Sequence, residues 1–216
     1  MNSRWKENRQ FLCRRFLLLI IFLGTVLMPF SAKAEQNGPS EVIKKLNTVI
    51  LEAMKGGKKL GYGGRYRLFA PVIKDSFAIS KMARLAAGKY WETFSEEERN
   101  VYLKTYAEWS IASYAGRFNE FDGEQFRLVS ESAPERSTVT VISKLVESNK
   151  DEVEFNYLIR RDEGTWRIVD IRVFGVSQLA LTRVQFVSIL RTKGFQALIS
   201  MLNGKIRDLQ QGNYSK

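Results

Sequence analysis

Apolar residues recur along this chain with two different periods, and the point where one gives way to the other divides it. Val42, Ile43, Leu46, Val49, Ile50 and Met54 fall at helical spacing. They predict a helix capped by Ser40 and ended by Gly56-Gly57, with the glycine-rich run GGKKLGYGG after it as a flexible loop. A second helical region is predicted from about Arg65 to Phe94, interrupted near Pro71 and at Gly88. Ser95 to Glu98 forms a capping box for a long helix that ends near Asn119. On it Val101, Tyr102, Tyr106, Trp109, Ile111, Tyr114 and Phe118 make a band too broad to be buried on one side only.

After Gly123 the period falls to two. Phe126 to Ser130, Thr138 to Val146, Val153 to Arg161 and Trp166 to Phe174 are predicted strands, separated by turn residues at Ala133-Pro134, Ser148-Asn149 and Asp162-Glu163-Gly164. Such short connections make neighbouring strands antiparallel. Beyond Gly175 the helical period returns through Leu179, Leu181, Phe186, Ile189 and Leu190; Gly194 interrupts it, and Phe195, Leu198, Ile199, Leu202 and Ile206 resume it. Helices bracketing a meander predict an α+β fold, with helices packed on a curved antiparallel sheet of about four strands.

The first 34 residues stand apart. Arg4, Lys6, Arg9, Arg14 and Arg15 precede the apolar run Phe16 to Phe30, which is shorter than the roughly 20 residues of a spanning helix. Ala32-Lys33-Ala34 supplies the small residues of a cleavage site, so residues 1–34 read as a secretory signal and residues 35–216 as one exported domain. Arg14-Arg15 with Phe16-Leu17 resembles a twin-arginine signal only in part, because the spacing is loose. Cys13 leaves with the leader, and the chain has no histidine. The mature part is therefore expected to lack disulfides, thiol nucleophiles, imidazole bases and the usual zinc ligands.

Charge narrows the reading further. The whole chain carries a formal +11; the leader holds six Lys/Arg and one acid, leaving 28 basic and 22 acidic side chains, or +6. The remaining basic residues are interspersed and match no nucleic-acid-binding signature, so no nucleic acid is expected. A mildly basic face suits anionic lipid headgroups instead.

Catalytic motifs do not assemble. Gly175-Val176-Ser177-Gln178-Leu179 begins like a hydrolase elbow but lacks the closing glycine and any histidine to activate Ser177. Asp75, Asp122 and Asp170 could pair for acid and base work, but Asp122-Gly123 reads as a turn, and Arg167 and Arg172 flank Asp170 for ion pairing. No calcium-loop spacing and no phosphate-binding glycine loop occur. Neither metal nor cofactor is expected, and the chain does not read as an enzyme. The apolar content is the unusual part. Trp91, Trp109 and Trp166, with fourteen Phe and eight Tyr in the whole chain, leave open either a lined cavity or a plain aromatic core.

Four strings then combine. YAEWSIASYAGRF at Tyr106 to Phe118, MARLAAGKYW at Met82 to Trp91, the strand end GTWRIVDI, and the block GVSQLALTRVQFVSILRTKGFQALISML resemble the MlaC, or toluene-tolerance, family of periplasmic lipid-binding proteins. The likeness covers roughly residues 40 to 209, and ALTRVQF, the MAR to Trp91 spacing and YAGRF are similar to its hopanoid-associated HpnM branch. The resemblance implies a carrier whose helices and curved sheet enclose an apolar cavity, ferrying phospholipid or hopanoid across the periplasm. Its implied partners are an inner-membrane lipid transporter and an outer-membrane lipoprotein complex; a shuttle must diffuse, so a monomer is expected. Bound lipid would be cargo.

On the strands Val139, Val141 and Leu145, and Val153, Phe155, Tyr157 and Ile159, share inward faces. They are candidates to line the cavity, with Phe77, Met82, Leu85, Trp109, Phe174, Val176, Phe186 and Leu190 closing it from the helical side. Each of these is open to the alternative of simple core packing. Gly175 and Ser177 form a turn that Arg183 is expected to order through backbone carbonyls or an acid such as Asp170. The segment Lys58 to Arg67 matches no family pattern and reads as a surface loop. Such a cavity needs little polar machinery: at about 0.8 kcal/mol per CH₂, a chain of about 16 carbons represents roughly 13 kcal/mol before ordering costs. Two other classes remain: a nuclear-transport-factor-like interaction module with a filled interior, and a carboxylate enzyme.

Overall fold

The computed structural model describes residues 38–213, so the leader and the cleavage expected after Ala34 lie outside the described residues. Helix α1 (Pro39–Ser76) begins after extended Gly38, with Pro39 in the first turn, where its missing N–H has no partner to lose. Ser40 is not the cap. It lies inside the first turn and donates from both its backbone N–H and its hydroxyl to Glu131, tying the helix to the edge of the sheet.

The first helical stretch does break at the expected glycine pair, but the glycine-rich run is a kink that joins two helical stretches of α1 and not a long loop: the backbone leaves helical geometry at Gly57 (φ 39°) and Gly61 (φ 60°), where only glycine adopts it without strain. Arg65 holds the bend: its buried guanidinium donates to the carbonyls of Gly57 and Ala115, each at 2.8 Å. The helix also passes Pro71, giving up one N–H, because Phe69, Val72 and Ile73 around it are buried. Tertiary packing overrides the local breaker.

Helix α2 (Ile79–Ala87) leads into a 3₁₀ turn, Gly88–Thr93, and then helix α3 (Glu96–Arg117). The expected capping box is present: the Ser95 hydroxyl accepts the Glu98 N–H at 3.2 Å and the Glu98 carboxylate accepts the Ser95 N–H at 3.0 Å. The sheet follows as β1 (Gln125–Glu131), β2 (Thr138–Val146), β3 (Glu152–Asp162), β4 (Thr165–Val173) and β5 (Val176–Ser177), antiparallel neighbours in chain order. The four long strands lie where alternation placed them. The fifth has two residues, too few to show a period. Helix α4 (Gln178–Gln211) completes the described fold, bent at Gly194 (φ 77°) and capped by Ser177, whose hydroxyl accepts the Ala180 N–H at 3.0 Å.

Register brings the predicted inward faces together, with Val139 opposite Ile159, Val141 opposite Tyr157 and Leu145 opposite Val153. Between β3 and β4 it slips: Leu158 faces Asp170, but Ile159 faces Ile168, so Val169 is an extra residue in β4. That bulge turns Ile168 and Ile171, three apart, toward one core.

Two apolar clusters result. The sheet cluster joins α1 to the inner sheet face through Ile43, Leu46, Ile50, Phe69, Ile73, Val139, Val141, Tyr157, Ile159 and Ile168. The helical cluster is rich in rings and gathers Trp91, Phe94, Tyr102, Tyr106 and Phe186 with Leu190, Leu198 and Leu202. Ile79 and Met82 pack against both. The broad band on α3 is thus shared, Tyr102 and Tyr106 serving one cluster and Ile111, Tyr114 and Phe118 the other.

Candidate functional site

A pocket of about 240 Å³ opens where the two clusters meet. Phe77 starts it: the residue leaves α1 in an extended conformation and bridges Ile168 in parallel, and Ala78 N–H donates to the Ile168 carbonyl at 3.0 Å. The chain passes from α1 to α2 against β4, and Ile73 and Phe77 before that junction and Ile79 and Met82 after it all line the gap. Helix α3 adds Tyr106, Trp109, Tyr114 and Phe118; the sheet adds Phe155, Ile171 and Val173; α4 adds Leu179. Burial pushes the Tyr106 and Tyr114 phenols above their usual range, and the Asp170 charge raises Tyr106 further, so both stay neutral and contribute ring surface.

Polar groups line the same pocket, yet most are already engaged. The hydroxyls of Ser110, Ser113 and Thr182 donate to their own helices, at the carbonyls of Tyr106, Trp109 and Gln178, each at 2.8 Å. Asp170 Oδ1 accepts the N–H groups of Ile171 at 2.9 Å and Leu179 at 3.1 Å, fastening the bulged strand to the start of α4. Arg117 and Gln178 are exposed and mark the open side. A larger groove of about 770 Å³ adjoins, with Trp109, Ser113, Arg117 and Phe118 shared by both and Leu145 and Leu209 beyond them.

Of the residues expected to line a cavity, Phe77, Met82, Trp109 and Phe155 lie in the pocket. Val139, Val141, Tyr157, Ile159, Phe186 and Leu190 are core; Leu145 is buried and borders the larger groove, and Val153 is half-buried on the inner face. Three point elsewhere. Leu85 is 42% exposed beside Lys81 and Arg84 on a second open groove, which shares only Phe77 and Ile79 with the pocket. Phe174 and Val176 are 77% and 47% exposed, because the chain reverses at Phe174-Gly175 and turns both side chains outward.

The turn residues need a correction. Asp170 forms no ion pair with Arg167 or Arg172; Arg167 donates to the Lys74 carbonyl at 2.8 Å. Arg183 does not order the turn, since its guanidinium lies over Gly88, where a methyl group would come within 3.3 Å of Nε. Ser177 and Asp170 do that work through backbone N–H groups. Sequence reasoning missed Ile73, Ile79, Tyr106, Tyr114, Phe118, Ile171, Val173 and Leu179. The width of the α3 band was the available signal for three of them. Ile171 and Val173 were hidden by the bulge, since strict alternation from Ile168 selects Asp170 and Arg172 instead.

Among the described residues no cluster of His, Cys, Asp and Glu is placed to hold a metal ion, and no helix is long and apolar enough to cross a membrane. The geometry defines an α+β protein with a preformed apolar pocket between its helices and its sheet. The chain belongs to the MlaC protein family, whose pattern matches residues 44–204. A Haemophilus influenzae protein, the intermembrane phospholipid transport system binding protein MlaC, is 24% identical over 136 residues, 61% of this chain and 62% of that protein. The chain thus aligns with less than two thirds of that relative's length. The phospholipid-binding protein from Ralstonia solanacearum, solved in complex with a phospholipid, shares the fold with a TM-score of 0.65 at 18% identity, over 78% of this chain and 96% of that one.

Proposed function

We propose that this chain is an exported lipid carrier that holds the acyl part of a phospholipid in the pocket at the seam of its two clusters. The observation that carries this is the division of the pocket: rings and aliphatic side chains form its walls, its serine and threonine hydroxyls are spent on their own helices, and Arg117 stands at the open side. Such a pocket suits a molecule that is apolar along its length and anionic at one end. The phospholipid named for the Haemophilus and Ralstonia relatives has that form. The pocket alone is small for two acyl chains, and the adjoining groove supplies the rest when the shared wall of Trp109 and Phe118 moves aside.

Residues 1–34 serve as the secretory signal, residues 35–216 act in the periplasm, and lipid passes between an inner-membrane transporter and the outer membrane. The wording of Met82 to Trp91 and of ALTRVQF supports hopanoid as the second cargo. Mass spectrometry of organic extracts from protein recovered after export, without detergent, tests the reading. Phospholipid or hopanoid is expected at near one molecule per chain, and Met82→Trp, which fills the pocket, is expected to lower it at least tenfold. No lipid in the extract, with no uptake from labelled vesicles, would leave the interaction-module reading in its place.

A further inference from the structure

Strands β4 and β5 are joined by Phe174 and Gly175, both at positive φ (50° and 77°), the two-residue turn that suits the twist of paired strands. Its first position favours Asn, Asp or Gly, and a bulky ring there is held in a backbone conformation that such residues avoid. Phe174 is nevertheless 77% exposed, so no core contact explains it. Leu181 and Val184, 54% and 71% exposed, follow one turn apart on the outward side of α4. Interleaved with these residues, Val173, Gln178, Leu179 and Thr182 line the pocket. One short corner of chain therefore has the pocket on its inner side and an apolar surface on its outer side.

Charge indicates what that surface meets. From Ile171 to Arg207 the chain contains Arg172, Arg183, Arg191, Lys193, Lys205 and Arg207 and not one Asp or Glu. Among the described residues none of these six is in an ion pair. The carboxylate just before the segment, Asp170, is buried and bonded to backbone N–H groups. An apolar tip with the unpaired cations Arg172 and Arg183 beside it, on a segment without acids, complements an anionic bilayer, where cations meet phosphates and the tip enters the acyl boundary.

We propose that the corner from Phe174 to Val184 inserts into the surface of an anionic lipid bilayer and brings the pocket opening to the membrane. This rests on the carrier reading. Co-sedimentation of the exported protein with phosphatidylcholine vesicles, with and without roughly a quarter of phosphatidylglycerol, tests it. The protein is expected to pellet with the anionic vesicles, and Phe174→Asp combined with Leu181→Asp to weaken binding at least about tenfold. Arg172→Glu with Arg183→Glu is expected to weaken it by a similar factor, with loss in high salt. Phe174→Trp reports depth: its added emission is expected to be quenched by brominated acyl chains. Wild-type protein left in the supernatant with both vesicle types overturns the proposal, as does a Phe174→Asp/Leu181→Asp protein that folds and pellets like wild type.

Uptake of a fluorescent lysophospholipid from monomeric solution separates this from the carrier reading. If the pocket fills while vesicles are ignored, the carrier stands and the membrane contact falls. If vesicles are bound while the pocket stays empty, the contact stands and the carrier reading falls.

Discussion

The two clusters of this molecule differ at their buried centres, and the pocket lies where they meet, walled by rings from both. The buried centre of the sheet cluster is mostly branched aliphatic, in a register that sets Val139 against Ile159 and Val141 against Tyr157, with rings such as Tyr114, Phe118 and Phe155 at its edge. Branched side chains on a pleated surface interlock and leave little space. The helical cluster is a chain of rings, Tyr106 meeting Trp109 at 68° and Phe186 at 84°, with Phe186 in turn 5.7 Å from Trp109. Rings in edge-to-face contact are rigid and flat, so they support one another strongly yet fill concave corners badly. At the boundary Ile79 and Met82 are asked to serve both, and a void remains.

Removing a ring from inside the helical cluster should break this contrast most severely. Phe186→Ala is expected to cost about 3–5 kcal/mol in a urea titration, whereas Met82→Ala at the seam, beside a void that already exists, is expected to cost no more than about 1–2 kcal/mol and to enlarge the pocket. Equal losses for the two would mean that the seam is ordinary core.

Alkali should probe both clusters together. Burial holds the phenols of Tyr102, Tyr106 and Tyr157 above the usual range. Their unfolded-state pKa is about 10, so stability is fully present below that pH and falls above it, by about 1.4 kcal/mol per pH unit for each, until the folded forms ionise. The share of phenolate absorbance that Tyr102→Phe, Tyr106→Phe and Tyr157→Phe each remove, followed alongside circular dichroism, should rise only as the protein unfolds. An early rise of that share in a still-folded protein would show that the cluster holding that tyrosine is open to water.

Asp170→Ala tests the fastening between the sheet side and α4. It leaves the N–H groups of Ile171 and Leu179 without their acceptor and is expected to cost about 1–3 kcal/mol, with faster amide exchange at those two positions. Gly88→Ala is smaller. At φ 58° the new methyl group would lie 3.1 Å from Val187 Cγ2, and a loss of about 1 kcal/mol is expected in thermal unfolding, confined to the junction of the 3₁₀ turn with α4. Least of all is Glu152→Gln. The carboxylate is held below its usual range by Lys144 and Arg127, but on the open surface, and its loss should leave the unfolding midpoint unchanged.

Much of the fold was legible because it depends on near neighbours in sequence. The Ser95 to Glu98 box, the four long strands and the bend at Gly194 each follow from residues within a turn or a pleat of one another. Ser40 failed as a cap, and GGKKLGYGG as a loop, because partners far away decide them: Glu131 takes the Ser40 hydroxyl, and Arg65 reaches Ala115 across fifty residues. The pocket was legible in part for the same reason. Phe77, Met82, Trp109 and Phe155 follow from face and period; Ile171 and Val173 do not, since one extra residue in β4 reverses its alternation.

By itself, then, the sequence determined the order of the main helices and the four long strands, the inward faces of β2 and β3, the absence of histidine, and the likeness to the MlaC family that its matching pattern then showed. Tertiary structure alone decided which inward residues surround space. Periodicity records that a side chain leaves the water. Whether it then touches another side chain or the edge of a void depends on how volumes from α1, α2, α3, β4 and α4 sum at one point, and no local pattern carries that sum.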